Sequence, residues 1–106
     1  MDVNRRDLFT LGGSVVVFPA TGHTPGHQSV VVKTNAGQNL ILVQDVCYTQ
    51  ENMVASIPPG LVHDIPDSLT NIYHFKATSV MGGQIVPPHD PDWLVDKPLA
   101  PQKFKI

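Results

Sequence analysis

The sequence predicts an α/β domain built on one sheet of about four strands, antiparallel or mixed, with one main helix. Three observations carry that expectation. Three short runs rich in Val, Ile and Leu follow one another between Ser14 and Gln44, and a segment of helical period follows them. Ten Pro and eight Gly among 106 residues also interrupt the chain too often for a helical bundle. The length suits one small domain, residues 1–106, and not two.

Ser14 to Ala20 (SVVVFPA) is short and β-branched and lies between Gly12-Gly13 and Gly22, so it reads as a buried strand between turns. Gln28 to Thr34 (QSVVVKT) is a second strand, and Asn35 to Gln38 supplies turn chemistry. Asn39 to Gln44 (NLILVQ) is a third, arriving directly at Asp45, which makes a meander. Pro58 to Pro66 is loop-like. Asp67 or Ser68 can then cap a helix through Ala77 that places Leu69, Ile72, Tyr73 and Lys76 on one face. Gly82-Gly83 stops it, Gln84 to Val86 forms a short strand, and Pro87-Pro88 releases the chain into His89-Asp90. From Pro91 the chain is rich in proline and aperiodic, so residues 93–106 read as an irregular surface tail.

Composition excludes several classes. Seven Lys and Arg against nine Asp and Glu leave a net charge of −2, without the basic excess that nucleic acid requires. A hydrophobic share of 42% with 15% charged residues argues against disorder. The longest apolar runs, Val15–Phe18 and Leu40–Val43, fall far short of the ~20 residues that cross a bilayer, so no membrane span is expected. A lone cysteine, Cys47, rules out an intramolecular disulfide and a CxxC metal knuckle. It reads as a small packing residue, in a compartment either reducing or unspecified.

The metal-capable side chains all fall at or just past the carboxyl ends of strands. His23 and His27 follow the first, Asp45 ends the third, and His89 follows the last. Loops at strand ends are where a rigid sheet positions functional groups. Imidazole and carboxylate together suit zinc, iron or manganese in a hydrolytic site. Any one of these histidines alone reads as a polar loop residue; the shared placement is what singles them out. His63 and His74, one before the helix and one on it, read as exposed. Trp93 caps an edge either of the core or of a pocket.

The segment Thr21-Gly-His23-Thr-Pro-Gly-His27-Gln-Ser29 closely resembles the Gly-His-Thr-Pro-Gly-His segment of the metallo-β-lactamase-fold hydrolases. Pro88-His89-Asp90 resembles the Gly-His-Asp that closes such domains. Within that superfamily, Gln28-Ser29 and Asp45-Val-Cys-Tyr48-Thr look most like the N-acyl homoserine lactonases, the quorum-quenching lactonases; the resemblance runs over residues 7–92. Ala20-Thr21 stands where Thr-Pro is common, and Pro88 where Gly usually precedes the last histidine.

This resemblance implies that His23 is a terminal ligand of one zinc, that Asp45 bridges two zinc ions, and that His89 is a terminal ligand of the second. It implies that Tyr48 hydrogen-bonds the substrate carbonyl oxygen. Asp45 and Tyr48 are thus the catalytic candidates and His23, Asp45 and His89 the metal candidates. The residue types agree, because a carboxylate can offer one oxygen to each of two cations ~3.5–4 Å apart and a neutral imidazole cannot. The implied chemistry is opening of a lactone or ester by metal-bound hydroxide, with Asp45 passing a proton to the leaving alkoxide. The second histidine of the motif is not a ligand in this family, so His27 is expected to support the site by hydrogen bonds. Gly22 and Gly26 are expected to allow a tight turn there.

The family places its other ligands on a His-x-His-x-Asp-His motif in the first half of a longer domain. No such motif occurs here, and only 22 residues precede His23. The chain therefore reads as the carboxyl-terminal half of a metallo-β-lactamase αββα sandwich. It is not expected to assemble the dinuclear centre alone, and one sheet face is expected to lack a cover, which a homodimer or a complementing amino-terminal half would supply. Two alternatives stand beside a lactonase-like hydrolase. One is a non-catalytic truncated remnant or self-associating module that binds metal weakly or not at all. The other is the same fold acting on a thioester, β-lactam or phosphodiester. Asn4-Arg5-Arg6-Asp-Leu-Phe9 resembles a twin-arginine export signal, but the following apolar run is already used as a strand, so the expected location is cytoplasmic.

Overall fold

A computed structural model of the chain describes residues 9–11, 15–33, 39–98 and 102. Its strands are β1 (Phe9–Leu11), β2 (Val15–Pro19), β3 (Gln28–Lys33), β4 (Asn39–Leu42) and β5 (Gly83–Val86), joined in one sheet in the order β1-β2-β3-β4-β5. The first four form an antiparallel meander, whereas β5 pairs with β4 in parallel. A parallel neighbour requires a crossover. Helix α1 (Gln50–Ala55) and the long helix α2 (Ile65–Val80) lie within it, and a one-turn helix α3 (Pro91–Leu94) follows β5.

The four expected strands are present, and the short β1 adds a fifth. The Gly12-Gly13 and Asn35–Gln38 turns and the Arg5-Arg6 pair lie outside the described residues. The third strand stops at Leu42 and not at Gln44, because the backbone leaves the extended region: Gln44 has φ 56, and Gln44–Val46 form a 3-10 turn. Residues 91–94, expected as the start of an irregular tail, are helical. Asp90 caps them and Pro91 sits in the first turn, where no N–H is needed.

Helix α2 starts earlier than expected. Asp64, and not Asp67 or Ser68, is its cap, accepting the Asp67 N–H at 3.0 Å, and Pro66 fits the first turn. Its buried face is Ser68, Ile72 and Phe75, an i, i+4, i+7 row, so Tyr73 points a hundred degrees away from Ile72 and is 56% exposed. Lys76 is half-buried and donates to the Val54 carbonyl and Ser56 Oγ, tying α2 to α1. The unexpected helix α1 is held by a capping box in which Thr49 and Asn52 satisfy one another's backbone.

Register decides what each sheet face carries. Val16, Val31, Ile41 and Ile85 are aligned across β2 to β5 and pack with Phe18, Val43, Ile72 and Phe75 beneath α2. The Phe18 and Phe75 rings meet at 5.7 Å, tilted by 49°. The neighbouring positions face the other way: Val17, Val30, Leu42 and Val86 are aligned in one row, and Val15, Val32 and Leu40 in the next. These are only half-buried. Trp93 of α3 reaches this face, lining an apolar hollow with Leu40, Leu42 and Val86. No helix among the described residues is long and apolar enough to cross a membrane.

Candidate metal centre

The loop from Ala20 to His27 leaves β2 and returns as β3, closed by the Ala20 N–H donating to the His27 carbonyl at 2.9 Å. It is seated on the start of α2. The Gly22 carbonyl accepts the His63 and Asp64 N–H groups, each at 2.8 Å, and Asn71 Nδ2 donates to the Thr21 carbonyl at 2.6 Å. Thr21 Oγ1 adds a bond to Asp67 Oδ2 at 3.0 Å. Gly22 has φ +142 and lies so close to α2 that a Cβ would stand 2.6 Å from Ser68 N. The tight turn expected at Gly22 is therefore a close approach that only glycine permits.

That seating aims His23. Its Nδ1 lies 2.7 Å from the Leu61 carbonyl; a carbonyl can only accept, so Nδ1 donates there, which holds the ring with Nε2 turned toward Asp45. Nε2 stands 3.5 Å from Asp45 Oδ2. From the other side, His89 Nε2 stands 3.2 Å from Asp45 Oδ1. The strand ends thus bring one carboxylate between two imidazoles, one for each oxygen. The ring of Tyr48 stands beside both, edge-on to His89 at 4.8 Å and to His23 at 6.2 Å.

His27 is spent on structure. Its Nδ1 donates to the Ala20 carbonyl at 2.8 Å, and its Nε2 accepts the Asp45 N–H at 3.0 Å. Both nitrogens of a neutral ring are satisfied, and the second bond fixes the backbone of Asp45. His27→Ala is expected to cost about 1–3 kcal/mol, since it leaves the Asp45 N–H and Ala20 carbonyl without that partner. A urea midpoint unchanged from the parent would refute this role. His63 and His74 are exposed. Cys47 is fully buried, and burial first, then the Asp90 carboxylate, push its thiol up to about 12, which suits a packing residue and not a nucleophile.

Leu61 and Asn71 are supports that motif matching does not single out, and Asp90, though part of the matched Pro88-His89-Asp90 motif, is given no role by it. Asp90 had a legible signal, an Asp-Pro pair at a helix start; the Leu61 carbonyl and Asn71 act across the chain and leave none. The side chains of His23, Asp45 and His89 are 20%, 36% and 60% exposed, so the carboxylate opens to the surface. The donor set suits a first-row divalent cation, with one imidazole nitrogen and one carboxylate oxygen on each side. It is short in number: among the described residues no group of three or more His, Cys, Asp or Glu could hold an ion by itself.

A fold of this kind is that of the metallo-β-lactamase-fold lactonases. The solved structure of an N-acyl homoserine lactone hydrolase, with the product N-hexanoyl-L-homoserine at its catalytic metal center, superposes with a TM-score of 0.79 at 26% identity. That match covers 90% of this chain and 38% of the other. AidC, a dizinc quorum-quenching lactonase, shares the fold with a TM-score of 0.65 at 19% identity, over 86% of this chain and 30% of its own. No family model matches the chain. Among curated relatives, the N-acyl homoserine lactonase AttM of Azorhizobium caulinodans is 31% identical over 87 residues, 81% of this chain and 33% of the relative. The homologues of this chain over most of its length are therefore N-acyl homoserine lactonases, and it spans about a third of their length.

Proposed function

We propose that the chain is the carboxyl-terminal part of a dinuclear zinc hydrolase that opens the ring of an acyl lactone. The observation that carries this is the Asp45 carboxylate set between His23 and His89, with the Tyr48 ring against both. In this reading His23 and Asp45 would hold one cation, and His89 and Asp45 the other. A bound pair of divalent cations supplies Lewis acidity and a water that ionises near neutral pH. Tyr48 would donate to the lactone carbonyl oxygen where negative charge develops; as water adds to the carbonyl carbon and the ring C–O bond breaks, the Asp45 carboxylate would take a proton from that water and pass it to the departing ring oxygen. Tyr48→Phe should lower kcat by roughly 10²-fold or more in any assembly that turns a lactone over, with metal content unchanged. An unaltered rate would remove the phenol from the site.

Each cation has one imidazole and a shared carboxylate from this chain, fewer than the three protein ligands of a catalytic zinc. Another polypeptide segment must complete the set, and the aliphatic face of Val15, Val17, Val30, Val32, Leu40, Leu42 and Val86 is the surface such a segment buries. A complementing amino-terminal half satisfies both needs, and a homodimer satisfies the second. The test is zinc content per chain with oligomeric mass, for the chain alone and with the amino-terminal part of a relative. We expect two zinc ions per chain and lactone hydrolysis in the complemented assembly. A complemented, monodisperse assembly without zinc would instead favour a non-catalytic remnant, the reading to which the openness of the carboxylate lends support.

A further inference from the structure

We infer that Asp90 is a positioning residue that holds His89 and Tyr48 in register, beyond its role as the cap of α3. Asp90 is buried, 7% exposed. Its Oδ1 accepts the N–H groups of Asp92 and Trp93 at 3.1 and 3.2 Å, which is all that capping requires. Its Oδ2 reaches back across the chain to accept the Gln50 N–H at 2.8 Å. Gln50 opens α1 two residues after Tyr48, and Asp90 directly follows His89, so this bond joins the segments that carry the two rings. The His89 N–H, donating to the Tyr48 carbonyl at 2.9 Å, closes the same junction from within. The edge-on contact of the rings at 4.8 Å and 76° sits on this double clamp.

The clamp needs two acceptor oxygens on one side chain, and a carboxylate offers them while accepting from three backbone donors. An amide in its place can still cap α3 through its oxygen, but its NH₂ would meet the Gln50 N–H donor to donor. The role is named from the proposed function, yet its test needs neither metal nor lactone, so the two can fail separately. Gln50→Pro is the cleanest change. Thr49 before it is extended, at φ −132 and ψ 164, as a residue preceding proline must be, and proline is tolerated at the first helical position. The substitution deletes the N–H that Oδ2 accepts and sets the ring Cδ where that hydrogen pointed, so Oδ2 must swing away, while Oδ1 can still accept from Asp92 and Trp93 and the Thr49–Asn52 box is untouched.

The readout is the His89 ring in NMR spectra of the whole chain. In the parent, His89 ring protons should show cross-relaxation to the Tyr48 ring and a ring-current displacement. Gln50→Pro and Asp90→Asn should each lose both signals while the shifts of α3, including the Trp93 indole, stay in place. Retention of the His89–Tyr48 signals in both variants would reduce Asp90 to a helix cap and overturn the inference. If Asp90→Asn does not fold, Gln50→Pro decides alone, and loss of α3 shifts together with the ring contact in that variant would also count against a separate clamp.

Discussion

Gly22→Ala is expected to destabilise the chain by about 2–5 kcal/mol, whereas Gly26→Ala, four residues on in the same loop, should be close to neutral. At Gly22 two costs combine. The backbone sits at φ +142, a conformation that strains any residue with a Cβ, and the added methyl would meet Ser68 N at 2.6 Å and Ser68 Cα at 2.7 Å. These are backbone atoms inside helix α2, so no rotamer change relieves the contact, and trimming Ser68 to alanine should not rescue it. At Gly26 nothing lies within 4 Å of a Cβ. Against a typical total stability of about 5–15 kcal/mol, the first change removes a large fraction. Urea denaturation of the two variants beside the parent measures it. A Gly22→Ala midpoint matching that of Gly26→Ala would mean that the His23 loop is not seated on α2.

The same loop shows what could be read from sequence and what could not. The strands are legible because short unbroken runs of Val, Ile and Leu lie between Gly, Pro and Asn, and β2, β3, β4 and β5 fall where those runs lie. Which histidine points at Asp45 was not legible from spacing, because His23 and His27 share one short loop and the same neighbours. What separates them is distant: His23 is turned by the Leu61 carbonyl 38 positions away, and His27 is consumed by Ala20 and the Asp45 N–H. The sequence puts the start of α2 late, at Asp67 or Ser68, because an aspartate is a good cap by type wherever it stands, and Pro66 in the first turn decides for Asp64. Tyr73 was misplaced onto the buried face because the packing row runs Ser68, Ile72, Phe75, and a buried serine carries no hydrophobic signal. The left-handed Gln44 that turns the chain into Asp45 has no signature either, since the surrounding fold imposes it.

Asp45→Ala should separate the site from the fold more sharply than any other substitution. His23 and His89 both face the carboxylate, at 3.5 and 3.2 Å, while the Asp45 backbone is held independently by His27. Removing a side chain that is 36% exposed should leave stability within roughly 1 kcal/mol of the parent. Its effect on metal should be large. Losing a group that only orients a metal ligand costs roughly 10–100-fold in affinity, so losing the shared anion between two cations should exceed that. Zinc titration of the complemented assembly should therefore show at least a hundredfold weaker uptake, and lactone hydrolysis should fall to background. Asp45→Asn keeps the shape and one acceptor oxygen but not the charge, nor a second oxygen for the other cation, so it should retain the fold and lose the two-ion stoichiometry. A folded Asp45→Ala assembly that still takes up two zinc ions per chain with parental affinity would show that the carboxylate does not bridge them, and the dinuclear reading would fail at its centre.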